Sequence, residues 1–369
     1  MQSNRHLSLD VLRGLTVTLM IIVNTPGNGA TTFSPLHHAQ WHGFTPTDWV
    51  FPTFMFVVGN AMSFSLVKYE SLGEGAFLKK IFKRTLLIFL LGYLMYWFPF
   101  VEYNETQGWT LMPFSHTRIL GVLQRIALGY CFASLILHYW RDRGAVIFSI
   151  TALVGYWLVM MTFGDYTMEG NTSQRLDKLI LGDGHMYHGE GIALEPEGIL
   201  STLPSIVNVI AGYFAGMLIR RKGATYETVA KLLMVGVVLV FIALCWDLVF
   251  PINKKLWTSS FVLYSVGLDL MVLPVLIFLI EILQYRRWTY FFEVFGKNTL
   301  FVYYVSELGV FLLYILPMGT ANLYSGIYQG IFRPLAGDYM GSLLFAVSWM
   351  LICWLIGWVL DKKRIYIKV

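Results

Sequence analysis

Long apolar runs broken by short polar stretches recur along the whole chain. Ten of them are long enough to be read as membrane spans, at about 8–27, 48–68, 84–101, 119–138, 145–163, 202–219, 232–250, 259–283, 298–317 and 341–361. A helix needs about 20 mostly apolar residues to cross the hydrocarbon core. A crossing strand needs only about 10, alternating in polarity. These runs are longer and apolar on all sides, so the pattern predicts helices. The expected fold class is an all-α polytopic integral membrane protein, a bundle of about ten transmembrane helices. No internal repeat, low-complexity segment or soluble domain interrupts the series, so residues 1–369 read as a single transmembrane domain.

Composition supports this. Of the 369 residues 56% are hydrophobic and 13% charged, where an ordinary soluble domain carries about 25% charge. The three cysteines, Cys131, Cys245 and Cys353, lie far apart in apolar stretches. They read as small hydrophobes, neither a disulfide framework nor a zinc site.

The positions of Lys and Arg give an orientation. Nineteen fall on one side, from Arg5 and the Lys68–Arg84 group to the tail residues Lys362, Lys363, Arg364 and Lys368. Six fall on the other: Arg118, Arg175, Lys178, Lys254, Lys255 and Arg333. Arg13 and Arg125 lie within spans. This bias puts both termini in the cytoplasm. The net charge of +5 is then mostly a topology signal, and a nucleic-acid partner explains it poorly. The first apolar run contains Asp10 and Arg13 and lacks a small-residue cleavage site, so it reads as an uncleaved anchor. The long outer segments, 28–47, 102–118 and 164–201, hold six of the eight histidines and many acids, among them Glu105, Asp183, Glu195 and Glu197. Polar chemistry is concentrated at the outer face.

Ionisable groups within spans are costly and mark candidate sites. Asp10 and Arg13 are spaced to pair on one helix face, as a packing lock or a functional pair. Asn24, further along the same helix, is either glue between helices or a donor aimed at a substrate carbonyl. Asp48, in Thr45-Pro46-Thr47-Asp48-Trp49, fits a helix start. Arg125 is too deep for an interfacial anchor and calls for a carboxylate or an anionic ligand. Glu307 and Asp269 are its candidate partners, or each lines a cavity. In His37-His38-Ala39-Gln40-Trp41-His42, His38 and His42 share a helical spacing that a metal site would use. The HExxH glutamate and a cysteine partner are both missing, so no metal is expected. There is no GxSxG, no P-loop and no strand–helix GxGxxG, which removes classical hydrolase, ATPase and Rossmann readings.

Several motifs recur in a recognisable order. They are Ser8-Leu9-Asp10-Val11-Leu12-Arg13-Gly14, Ile22-Val23-Asn24, His38-Ala39-Gln40-Trp41-His42-Gly43 and Asp48-Trp49-Val50-Phe51-Pro52-Thr53-Phe54-Met55-Phe56. They continue as Arg118-Ile119-Leu120-Gly121-Val122-Leu123-Gln124-Arg125, Leu181-Gly182-Asp183-Gly184-His185-Met186-Tyr187 and Glu195-Pro196-Glu197-Gly198. Pro251-Ile252-Asn253-Lys254-Lys255-Leu256-Trp257 and Gly296-Lys297-Asn298-Thr299 complete the set. From residue 8 to about 307 the chain resembles the transmembrane acyltransferases typified by heparan-α-glucosaminide N-acetyltransferase and their compact bacterial relatives. The long luminal N-terminal extension of the lysosomal enzyme has no counterpart here, so the resemblance implies a bacterial cytoplasmic-membrane form.

The resemblance implies transfer of an acetyl group from cytosolic acetyl-CoA to the amine of a terminal glucosamine on the other side. It implies His38 as the active-site histidine and an active-site role for Asn24. An imidazole can serve as the base, and an amide N–H as half of an oxyanion hole. An acetyl-imidazole on His38 is the other route. Direct transfer is favoured, because thioesters react readily with aligned amines. Asp48, Glu197, His185 and Asn253 are the expected substrate-binding residues. Arg125, Arg13 and Asn298 are those expected to hold coenzyme A, whose phosphates suit arginine. The partners implied are an amino-sugar substrate and the lipid bilayer, and a homodimer is compatible with them. An O-acyltransferase acting on an envelope polysaccharide or lipid, and a small-solute transporter, are the competing functions. The paired halves common in transporters are not seen.

Overall fold

A computed structural model describes residues 6–71, 73–104, 108–319 and 321–367; Arg5, Glu105 and Lys368, counted above, lie outside these. The described chain is helical almost throughout. Its long helices are α1 (Leu7–Asn24), α2 (Pro46–Glu70), α3 (Glu74–Trp97) and α4 (Val122–Phe163). A short α5 (Thr172–Leu181) is followed by α6 (Ile199–Lys222), α7 (Tyr226–Asp247) and α8 (Ser259–Ile277). The chain ends with α9 (Thr289–Lys297), α10 (Thr299–Ile315), the short α11 (Leu323–Ile327) and α12 (Arg333–Lys362). Two small antiparallel ribbons lie between helices, one of them Val101–Asn104 with Gly108–Leu111.

Among the described residues seven helices are long and apolar enough to cross a membrane, and α9 with α10, bent by 83°, make an eighth. Nine of the ten expected spans map onto this set, and the tenth, 84–101, falls on α3, which is outside it. α4 is 42 residues long but breaks at Arg141, whose φ of 57° is not helical. Arg125 in its first half stacks on Trp257, and the Tyr156 hydroxyl in its second half donates to the neighbouring Leu256 carbonyl. A straight helix would hold residues 125 and 156 about 47 Å apart, so α4 is a helical hairpin and supplies two spans. α3 starts at Glu74, about ten residues before the apolar run expected at 84. Its first turns carry Lys79, Lys80, Lys83 and Arg84, of which Lys80 lies over Tyr69 and Arg84 over Tyr130. Cation–π contact lets a charged turn pack on the bundle, which hydropathy alone does not register.

Several polar residues inside the helices bond locally or across helices. Thr16 and Thr18 donate to the Leu12 and Gly14 carbonyls four residues back. Asp269 accepts from Thr53 at 2.7 Å, tying α8 to α2. α2 and α6 cross where Gly59 meets Gly212. A Cβ on Gly59 would come within 1.8 Å of the Val209 carbonyl oxygen, and one on Gly212 within 1.9 Å of the Phe56 carbonyl oxygen. Small residues at a crossing let backbones approach and dispersion act where lipid supplies no hydrophobic drive.

Candidate active site

A cavity of about 510 Å³ opens at one end of the bundle. The end of α1 gives it Met20, Val23 and Asn24, and the loop that follows gives His38 and Trp41. The start of α2 adds Asp48, and α10 adds Tyr303 and Glu307. Loops at the same end close it with Arg118, Tyr187, Glu190, Glu197, Lys254 and Lys255.

At its wall His38 and Asp48 form a dyad. His38 Nδ1 lies 2.7 Å from Asp48 Oδ1. The second oxygen, Oδ2, accepts from the Ala39 and Thr45 backbone N–H groups and the Thr45 hydroxyl, each at 3.0 Å. Asp48 thus closes the capping box of α2 and pins the histidine loop with the same carboxylate. The Asp48 side chain is 1% exposed and that of His38 44%, so a substrate can reach the ring but not its support. Burial holds the His38 imidazole below its ordinary range; the Asp48 hydrogen bond opposes that and the Lys254 charge adds to it. Lys254 Nζ lies 3.2 Å from each ring nitrogen.

Asn24 faces Glu307, with Nδ2 donating to Oε1 at 3.1 Å. Opposite, Arg118 lies between the rings of Tyr96 and Tyr187, 5.0 Å from each centroid. Its guanidinium bonds both Glu195 and Glu197, the latter at 2.6 Å. Burial pushes the Glu195 carboxyl up to about 7. Burial presses Glu197 the same way, but the Arg118, Arg125 and Lys254 charges outweigh it and hold Glu197 below its ordinary range. Lys255 pairs with Glu190 at 2.8 Å and donates to the Gln40 carbonyl at 2.9 Å.

Of the residues singled out from the sequence, His38, Asn24, Asp48, Glu197 and Glu307 line this cavity. The others have different surroundings. His185 Nδ1 lies 2.8 Å from the Thr117 carbonyl, and Ile119 N donates to the His185 carbonyl. The ring therefore clamps the segment that carries Arg118. Asn253 is fully buried; its Oδ1 accepts from Leu256 N at 2.9 Å and its backbone N–H donates to Thr258 Oγ1 at 3.0 Å. It shapes the turn that presents Lys254 and Lys255.

Arg125 is 1% exposed, 4.7 Å over the Trp257 ring, and its Nη2 donates to the Gly198 carbonyl and the Ser201 hydroxyl. Neither Glu307 nor Asp269 is its partner: the first holds Asn24 and the second Thr53. Arg13 and Asn298 lie at the opposite end of the bundle. Arg13 Nη1 donates to Asp10 at 3.2 Å and to the Gly296 carbonyl at 3.3 Å. Asn298 bonds the Ile365 carbonyl and the Ile367 N–H of the tail. The three residues expected at coenzyme A therefore share no surface. Among the described residues no group of three His, Cys, Asp or Glu side chains is arranged to hold a metal ion. His42 Nδ1 lies 3.4 Å from Asn253 Nδ2, and His37 Nε2 lies 3.0 Å from the Thr32 carbonyl.

Sequence reasoning missed Lys254, Lys255, Glu190 and Tyr187 as cavity residues. A signal was there. Arg118, Lys254 and Lys255 are three of only six cations on the charge-poor side, and all three line the cavity.

No family model matches the chain. Curated relatives do. Heparan-alpha-glucosaminide N-acetyltransferase of Homo sapiens is 27% identical over 359 residues, an alignment taking in 82% of this chain and 52% of the relative. The Mus musculus protein of the same name is 27% identical over 365 residues, taking in 83% and 54%. These matches support the resemblance drawn from the motifs. The chain spans about half the length of the curated relatives it matches.

Proposed function

We propose that this chain is a membrane acetyltransferase that moves an acetyl group from acetyl-CoA to the amine of an amino sugar, glucosamine or a terminal glucosaminide. The observation that carries the reading is the His38–Asp48 dyad opening into the same cavity as the Asn24–Glu307 pair. The two relatives named for acetyl transfer to a glucosaminide amine support it.

Asp48 accepts the Nδ1 proton of His38 and leaves the Nε2 lone pair for the acceptor amine. A buried carboxylate in that place fixes the tautomer and stabilises the imidazolium that forms. The amine attacks the thioester carbon as His38 takes its proton. Negative charge develops on the carbonyl oxygen, and an Asn24 N–H donates to it. Glu307 holds the other N–H and so fixes the plane of the amide. Collapse of the tetrahedral intermediate expels the thiolate of coenzyme A, which takes the proton from His38. Glu197 and Glu190, each paired with a cation, offer carboxylate oxygens in the cavity to the hydroxyls and amine of the sugar.

The charge bias supports an orientation with the cavity on the outer face and both termini in the cytoplasm of a bacterial inner membrane. Arg13 and Asn24 lie on one helix, eleven residues and about 17 Å apart. A donor whose phosphates engage the Arg13–Asn298 end would reach His38 with its thioester by running alongside α1.

The test is purified protein with radiolabelled acetyl-CoA and a panel of acceptors. Label on the amine of glucosamine or a glucosaminide is the expected result. Label only on hydroxylated acceptors would move the reading to an O-acyltransferase. No transfer, together with uptake of solute into proteoliposomes, would replace it with a transporter.

A further inference from the structure

Lys254 is a residue for which the proposed chemistry has no use, yet it makes the closest polar contact with the His38 ring apart from Asp48. It sits in the turn between α7 and α8, and Asn253 holds that turn rigidly at its base. Its Nζ is 3.2 Å from both Nδ1 and Nε2 of His38. Nδ1 is committed to Asp48 at 2.7 Å. Equal distances to the two nitrogens place Nζ against the ring and off the axis of either lone pair, so the Nε2 lone pair stays open to the acceptor and Lys254 acts on the ring through its charge.

We infer that Lys254 is a positioning residue that keeps His38 unprotonated: its ammonium stands close to both ring nitrogens, where an imidazolium would meet a second positive charge. The inference rests on His38 being the base and adds what maintains it as one. A His–Asp dyad on its own favours the imidazolium, because the carboxylate stabilises the ring's charge. A base protonated in the resting enzyme cannot accept a proton from the acceptor amine. A second positive charge at hydrogen-bond distance opposes that protonation. The other charged groups around the cavity leave Lys254 in this part. Lys255 pairs with Glu190 and adds only a smaller push of the same sign on His38, and Arg118 is spent on Glu195 and Glu197. Glu307 faces Asn24 across the cavity, and His42 turns to Asn253. Asp48 and Lys254 are left as the opposed charges nearest the His38 ring. Burial lowers the Lys254 ammonium from the ordinary lysine range, and the charges of Asp48 and Glu197 support it.

Two readouts test this on the purified full chain. One is the pH profile of kcat/KM for acetyl transfer. The other is the pH dependence of His38 carbethoxylation by diethyl pyrocarbonate, which consumes neutral imidazole, with His38→Ala giving the background from the other histidines. Lys254→Met removes the charge and Lys254→Gln keeps a polar side chain in case the apolar one misfolds. Both are expected to move the acid limb and the carbethoxylation midpoint upward by about one pH unit or more. Turnover then falls steeply at pH 6 and recovers toward pH 8.5. Lys254→Arg keeps the charge and should leave both midpoints in place. A folded Lys254→Gln protein whose carbethoxylation midpoint equals that of the parent overturns the inference. If His38→Ala keeps its turnover, the proposed base fails instead. The carbethoxylation midpoint still reports whether Lys254 sets the charge of the ring.

Discussion

His38 Nδ1 and Asp48 Oδ1 stand 2.7 Å apart, joined across a loop of nine residues that doubles back on the first turn of α2. The same carboxylate that caps the helix orients the ring. A helix N-terminus favours negative charge, so the capping role supports an ionised Asp48 in the part proposed for it beside His38. Asp48→Asn retains an oxygen to accept from the Thr45 backbone but has no charge for the imidazolium. Turnover is expected to fall by about 10²–10⁴-fold with the fold intact. Asp48→Ala adds the loss of the cap, about 1 kcal/mol of stability. Steady-state kinetics beside thermal melting in detergent separates the two effects.

The helices of this fold were legible because lipid demands long apolar runs, and each expected span has a helix at its place. The site was legible only where chemistry sits in a short motif. His38 and Asn24 stood out in that way, and Asp48 was read as a helix start, which it is. Its second partner was hidden, since ten residues of sequence separation say nothing about a loop that folds back. Lys254 meets His38 across 216 residues, a contact only the packing of α2 against α8 creates. Asn253, His185 and Asn298 make bonds that shape loops and the tail, and a short motif does not distinguish such a residue from one that binds a ligand.

Asn24 owes its orientation to Glu307, 3.1 Å away on α10. Asn24→Ala is expected to lower kcat by on the order of 10²-fold or more. Glu307→Ala frees the amide to rotate and should cost a substantial part of the same factor, while Glu307→Gln, which keeps an acceptor oxygen, costs less. The double variant should lose little beyond Asn24→Ala alone, since coupled residues are not additive. Full additivity in a double-mutant cycle would separate the two.

Arg125 holds α4 against the start of α6 and Trp257. Arg125→Lys keeps a charge and loses the planar fork and the stacking. It is expected to destabilise the protein by about 2 kcal/mol and to leave the KM for acetyl-CoA unchanged. A rise in that KM at unaltered melting temperature would return Arg125 to the donor site.

The orientation has a direct check. Leu179, on α5, and Lys363, just beyond α12, are both exposed and lie at opposite ends of the bundle. Cysteines placed there are expected to differ in intact cells: Leu179→Cys labelled by an impermeant maleimide, Lys363→Cys labelled only after lysis. The reverse pattern would invert the topology and put the cavity on the cytoplasmic face.

The three histidines of the loop give the sharpest contrast, because they are close in sequence and differ in surroundings. His38 alone bonds a buried carboxylate and faces the cavity. His37 turns to a backbone carbonyl and His42 to Asn253. His38→Ala should lose about 10²–10⁴-fold in turnover, and His37→Ala and His42→Ala far less. The sign of the pH dependence follows from the same geometry. A base must be neutral to act, and burial holds His38 below the ordinary imidazole range. Activity is therefore expected to persist to somewhat below pH 6.5 and to fall as pH drops through the lowered value. An acid limb well above neutrality would mean that the ring charges more readily than its buried setting allows. Equal losses for His38→Ala and His42→Ala, reversed by added zinc, would replace the base with a metal site.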